Sequence, residues 1–208
     1  RPTGDMLARV VDDEDREVPA DTEGELTVRR CGDDPRRGFF SGYLKNPEAT
    51  EDAWRGGWFH TGDVVRQDAS GMLYFVDRKK NIIRRSGENI AAAEVEAMLG
   101  AHERVAQVAV VAVPDAMRDE EVMACVVPMP GVDANPVFAR ELFDWCMQRL
   151  AYFKAPGWVV FLDALPTTGT QKVQKGKIFP EGEDPTRRPD ACDLRALKKR
   201  DAVTAQRR

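Results

Sequence analysis

The stretch Asp77-Arg78-Lys79-Lys80-Asn81-Ile82-Ile83-Arg84-Arg85-Ser86-Gly87-Glu88-Asn89-Ile90-Ala91-Ala92-Ala93-Glu94-Val95-Glu96 is where this sequence changes character. Upstream of it, short alternating segments are separated by Gly, Pro, Asp and Ser, the pattern of strands and turns. Inside it, Arg78-Lys79-Lys80 is a basic run and Arg84 to Asn89 reads as a polar turn. Ala91–Leu99 then carries helix-forming residues with apolar positions at helical spacing. The stretch therefore divides the chain into a β-rich part and an α+β part.

Toward the N-terminus, Met6–Val11 and Gly24–Arg29 read as strands. Asn46 is a plausible helix N-cap with Pro47 at the first helical position, and Gly56-Gly57 would end that helix. Trp58–Gln67 and Met72–Val76 read as strands joined by the tight turn Asp68-Ala69-Ser70-Gly71, with Trp58, Phe59, Tyr74 and Phe75 packing the hairpin. Toward the C-terminus, Val105–Val113, Val122–Val127 and Trp158–Leu162 read as buried strands, with a further short one at Lys172–Lys175. Pro136–Leu150 carries Leu142, Phe143, Cys146 and Leu150 on one stripe of an amphipathic helix. Residues 81–180 are long enough to hold a core of their own. Residues 181–208 are half charged, 14 of 28, and read as a frayed or disordered tail with room for one short helix near Leu194.

The 208 residues are 42% apolar, with 31 basic and 35 acidic side chains and a net charge of −4. A length near 200 suggests roughly one to two domains. The longest apolar run, Val105–Val113 with Gln107 overlooked, is far below the roughly 20 residues of a spanning helix, so no membrane span is expected. A pI near 5.4 argues against a nucleic-acid surface. The four cysteines, Cys31, Cys125, Cys146 and Cys192, lack metal-ligand spacing and no metal site is expected. With no secretory signal in the sequence, reduced thiols and a cytoplasmic location are the expectation. The two histidines, His60 and His102, leave little for triad chemistry. The start at Arg1, running straight into strand-like sequence, reads as a cut.

Three segments, in this order, resemble the C-terminal part of AMP-forming acyl-CoA synthetases, members of the adenylate-forming enzyme superfamily. They are Gly57-Trp58-Phe59-His60-Thr61-Gly62-Asp63, preceded by Asn46-Pro47-Glu48-Ala49-Thr50; the opening stretch Asp77 to Glu96; and Leu165-Pro166-Thr167-Thr168-Gly169-Thr170-Gln171-Lys172. The likeness covers about residues 1–178. Val113-Pro114-Asp115, Arg118-Asp119-Glu120, Trp145-Cys146 and Phe153-Lys154-Ala155-Pro156 resemble, more weakly, the carnitine/crotonobetaine-CoA ligase branch.

The resemblance implies an α+β architecture. Residues 1–76 would be the last β-subdomain of a large adenylate-binding domain, 77–80 a hinge linker, 81–180 a small mobile domain, and 181–208 the charged tail. It also implies a reaction: ATP activates a carboxylic acid as acyl-AMP, and the acyl group passes to CoA. Mg2+ would be held by residues outside this chain, and the chain alone would be inactive because it has no Thr/Ser/Gly-rich phosphate loop ending in Lys. Asp63 would grip the ribose hydroxyls, and Arg78 would contact ribose or phosphate. Lys80 would be the hinge. Lys172 would meet the carboxylate oxygen and α-phosphate during adenylation, with Lys175 or Lys177 as the fallback because Gln171 replaces a usual glycine. Gly87 would line the pantetheine tunnel, with Ser86 standing where relatives often have a first glycine. Arg84, Arg85 and Lys154 could hold CoA phosphates or form a solvated basic face, and His60 reads as structural. Two other readings remain open: an adenylation domain loading a carrier protein, and a non-catalytic interaction module with this fold.

Overall fold

The computed structural model describes residues 4–198, and these fall into two compact units, one ending at Lys80 and the next beginning at Asn81.

The first unit is a four-stranded antiparallel sheet of β1 (Met6–Val11), β2 (Glu23–Arg30), β3 (Phe59–Gln67) and β4 (Leu73–Arg78), in that order. Gly24 is required in β2 by close approach, because a Cβ there would lie 2.5 Å from the Val11 carbonyl oxygen. Helix α1 (Pro47–Ala53) begins as the sequence predicts, with the Asn46 side chain accepting from the Ala49 amide at 3.0 Å and Pro47 in the first turn. It stops before the glycines. Gly56 and Gly57, at φ 64° and 75°, belong instead to a tight turn leading into β3. Phe59 joins Phe39, Phe40 and Trp54 in an aromatic cluster. Tyr74 and Phe75 do not pack as expected: they are exposed, because β4 is an edge strand and a register shift opposite Val64/Val65 interrupts its alternation.

The second unit is built on a mixed sheet. The hairpin of β5 (Ile82–Arg85) and β6 (Glu88–Ala91) leads into helix α2 (Ala92–Gly100), followed by the long hairpin of β7 (Val105–Asp115) and β8 (Asp119–Pro128). Helix α3 (Pro136–Met147) then crosses over to β9 (Trp158–Phe161), which runs parallel to β8. Successive residues of β8 point to opposite faces, and Glu121–Val126 are buried on both. Val122, Ala124 and Val126 pack with α2 and α3 through Val95, Leu99, Phe138, Leu142 and Phe143. Met123 and Cys125 face the other way, toward Trp158, Val160, Leu165 and Ile178. Burial pushes the Cys125 and Cys146 thiols up to about 12.

Two features depart from the sequence reading. Arg84–Asn89 is a β-hairpin, with Arg85 opposite Glu88 and both turn residues at positive φ, Ser86 at 51° and Gly87 at 83°. That is the backbone a two-residue primed turn demands. The segment 181–198 is ordered: β10 (Cys192–Asp193) pairs antiparallel with β9 and Leu194 is buried in the core. Several of its charges pair locally, but Arg195 and Lys198 find the distant partners Asp115, at 2.7 Å, and Glu121, at 2.6 Å, which composition alone does not reveal. The rest of the predicted tail, 199–208, lies outside the described residues. Among the described residues no helix is long and apolar enough to cross a membrane.

Candidate functional site

In the first unit, the local geometry is set by a break in the β2–β3 ladder. Glu25 pairs with Val64 and Thr27 with His60, so Leu26 alone faces Thr61, Gly62 and Asp63. The Thr61 hydroxyl donates to the Leu26 carbonyl at 2.7 Å and accepts from the Asp63 amide at 3.1 Å. Gly62 adopts φ 71°, a conformation that costs glycine nothing. Bulges of this kind re-aim side chains, and this one turns Asp63 toward Arg78, its register partner on β4. Arg78 Nε lies 2.8 Å from Asp63 Oδ1, and Arg78 Nη1 donates to the Thr61 carbonyl at 3.3 Å. Asp63 Oδ2 has no protein partner among the described residues. A partly buried carboxylate, whose Oδ1 makes the ion pair but no hydrogen bond, beside a half-exposed guanidinium, fits a polyhydroxylated ligand carrying negative charge.

Beneath the bulge lies a residue whose role the sequence reading missed. Glu25 is 5% exposed, and its carboxylate accepts from the Gly62 amide at 3.2 Å and from Lys79 Nζ at 2.9 Å. His60 Nδ1 stands 3.2 Å and Arg55 Nη2 3.5 Å away. Burial pushes the Glu25 carboxyl up, but Lys79 and His60 beside it outweigh that and hold it below its ordinary value. Desolvation works against the Lys79 ammonium, and Glu25 with Asp13 raises its pKa nonetheless. His60 is buried, in keeping with a structural role. The available signal was the sequence Glu25-Leu26-Thr27, in which the two polar residues share the buried face of a strand. Lys80 lies in a single 3-10 turn, Lys79–Asn81, at the boundary between the units.

In the second unit, Lys172 sits at a small turn. Thr168 donates its amide to the Lys172 carbonyl at 2.8 Å, its hydroxyl accepts the Lys172 amide at 3.2 Å, and Thr167 bridges to Val173. Gln171 takes φ 64°, so it occupies the left-handed conformation that a glycine would adopt without strain. Lys172 is exposed, and its ammonium has no partner among the described residues. Lys175 differs: its ammonium is 2.7 Å from Glu96 Oε1. The Ser86–Gly87 turn is exposed, with open space where a Gly87 Cβ would stand. The candidate CoA-phosphate cations do not form an open basic face. Arg85 is buried and bound to Glu121, and Lys154 is held by Glu94 at 2.6 Å. Among the described residues no group of three or more His, Cys, Asp or Glu could hold a metal ion.

Comparison with known proteins places these features in context. Residues 94–172 match the AMP-binding enzyme C-terminal domain. The chain is 39% identical over 176 residues to the crotonobetaine/carnitine–CoA ligase of Proteus mirabilis, a match covering 84% of this chain and 33% of that protein. The Salmonella typhimurium crotonobetaine/carnitine–CoA ligase is 36% identical over 172 residues, with 82% of this chain and 32% of the relative covered. The chain thus spans about a third of the length of the curated relatives it matches. Among solved structures, Bacillus subtilis o-succinylbenzoate CoA synthetase in complex with its acyl-adenylate intermediate superposes with a TM-score of 0.71 at 30% identity, covering 85% of this chain and 34% of that one. ATP-bound MatB from Rhodopseudomonas palustris gives 0.68 at 32%, with 82% and 33% covered.

Proposed function

The chain belongs to the AMP-forming acyl-CoA synthetases as a C-terminal part of such an enzyme, and on that premise we propose that it serves ATP-dependent activation of a carboxylic acid as acyl-AMP and transfer of the acyl group to CoA. The observation that carries this reading is the Thr61–Gly62–Asp63 bulge, which pairs Asp63 with Arg78 and leaves one carboxylate oxygen free.

In this reading Asp63 accepts from the ribose hydroxyls of the adenylate, and Arg78 offers its outer guanidinium nitrogens to ribose or phosphate. Lys172 carries a point charge, free of internal partners, to the carboxylate and α-phosphate, where negative charge builds during adenylation. Its place on an exposed turn suits delivery by a moving unit, and Lys175, tied to Glu96, suits that role less. Gly87 lets backbone approach the pantetheine arm closely. Lys80, at the boundary of the two units, absorbs the backbone rotation between half-reactions. Mg2+ accompanies the ATP phosphates on residues outside this chain, and the chain by itself releases no pyrophosphate.

The test uses the full-length enzyme. Lys172→Ala lowers acid-dependent ATP–pyrophosphate exchange by about 10²–10³-fold, the size of one lost transition-state contact, while acyl-CoA still forms from supplied acyl-AMP. Equal loss of both half-reactions overturns the assignment. Offering CoA, a pantetheinylated carrier protein and an amine in parallel identifies the acceptor. Transfer only to the carrier or the amine overturns the CoA assignment.

A further inference from the structure

A cluster of three charges lies inside the second unit and takes no part in the roles assigned above. The Glu121 carboxylate on β8 is fully buried. Its Oε2 accepts from Arg85 Nε at 2.8 Å, and its Oε1 accepts from Lys198 Nζ at 2.6 Å and from the Val122 amide at 2.8 Å. Lys198 Nζ also donates to the Phe153 carbonyl at 3.0 Å. Gly157 makes room for this arrangement, since a Cβ there would lie 2.5 Å from the Glu121 carboxylate carbon.

The two cations come from opposite ends of the unit. Arg85 is the last residue of β5 before the Ser86–Gly87 turn. Lys198 lies on the strap that follows β9, which is laid along the sheet through β10, the Leu194 amide on the Gly157 carbonyl at 2.8 Å, and Arg195 stacked over Trp158. The turn has two other anchors, both on the same β7–β8 hairpin. The Ser86 amide donates to the Arg118 carbonyl at 3.0 Å, and the Arg84 amide to Glu120 Oε2 at 2.7 Å. Ser86 is held at a positive φ that a non-glycine residue adopts only when its surroundings enforce it.

We propose that Lys198 is a positioning residue which, through Glu121 and Arg85, fastens the C-terminal strap to the Ser86–Gly87 turn and fixes that turn for the thiol-accepting half-reaction. One carboxylate serves both cations, so removing the lysine unfastens the strap at residue 198 and also frees Glu121 to shift, loosening Arg85 at the base of the turn. The functional half of this inference rests on the reading of that turn as a CoA-facing element. The coupling half stands on geometry alone.

Two measurements separate them. In the chain itself, Lys198→Met keeps the stem and removes the charge. Amide hydrogen exchange at residues 85–89 should accelerate by about tenfold, as expected when a local anchor worth one decade is lost, and Lys198→Arg should restore most of the protection. Unchanged exchange at 85–89 with a loosened strap overturns the coupling. In the full-length enzyme, Lys198→Met should raise the KM for CoA by about tenfold with ATP–pyrophosphate exchange unchanged, the pattern of a lost binding interaction confined to one step. A parallel loss in both half-reactions, or no rescue by arginine, overturns the positioning role. Failure of the unaltered enzyme to form any acyl-CoA would instead overturn the proposed function while leaving the exchange result intact.

Discussion

Glu25 and Glu121 are both buried glutamates, each reached by more than one cation and each tied to an irregular piece of backbone, Glu25 to the Gly62 bulge and Glu121, through Arg85, to the Ser86–Gly87 turn. They differ in where their cations stand. Around Glu25, the Lys79 and Arg55 side chains are 35% and 36% exposed, so either can turn to water. Around Glu121, Arg85 is 3% and Lys198 1% exposed, and neither has anywhere to go. The first arrangement is an anion under a partly wet rim; the second is a sealed triad carrying one excess positive charge. The same chemistry is therefore forgiving in the unit that holds Asp63 and unforgiving in the unit that holds Lys172.

The comparison breaks most readily at Glu121. Glu121→Leu leaves two buried cations without a counter-charge, and breaking a buried pair in this way costs about 3–5 kcal/mol. Urea denaturation of the second unit should show a loss of that order. Replacing all three residues together, as Arg85→Met, Glu121→Leu and Lys198→Met, should recover most of it, because no charge then remains to desolvate. A Glu121→Leu variant of near-native stability would mean that water reaches the triad.

Changing pH sharpens the contrast at smaller amplitude. Desolvation pushes Lys198 down from 10.5 to about 8 despite the attraction of Glu121, with Arg85 and Arg118 adding to the depression. The unfolded chain thus holds more protons than the folded one between about pH 8 and 10.5. In that window stability should rise with pH, by at most about 1.4 kcal/mol per unit. Denaturation midpoints compared with Lys198→Met, which removes this titration, isolate the effect. A wild-type profile parallel to the mutant one would show that the lysine stays fully charged in the fold.

What the sequence disclosed follows the same division between local and distant causes. Strands β1 to β4 and β7 to β9, and helices α1 to α3, are written in alternation, helical spacing and the Asn46-Pro47 cap, all local signals. The β5–β6 hairpin was hidden because its strands are only four residues long and Arg85 finds its counter-charge 36 residues away at Glu121. The strap up to Lys198 was hidden for the same reason, its charges reading as solvated while their partners Asp115 and Glu121 lie far back in the chain. Asp63, Arg78 and Lys172 were singled out by family resemblance. The bulge that pairs the first two depends on strand register, which composition does not carry, and Glu25 was passed over as one more strand residue.

The smallest effect belongs to Glu25→Gln, which also asks whether the wet rim really makes that site forgiving. The amide can still accept from the Gly62 N–H, so the bulge keeps its anchor. What is lost is the charge-assisted part of the contacts to Lys79 and His60. Because Lys79 can re-hydrate, the loss should be about 1–2 kcal/mol. Its pH dependence has the same sign as that of Lys198, stability rising with pH, but it falls in the acid range. The Glu25 carboxyl lies below its ordinary value in the folded chain, so its stabilisation is present above the unfolded pKa near 4.5 and fades as pH falls through the folded value. Wild type and Glu25→Gln should therefore converge in acid and separate at neutral pH in urea titrations. A loss at pH 7 as large as that of Glu121→Leu would show that His60, with only 4% of its side chain exposed, governs the site in place of the exposed cations.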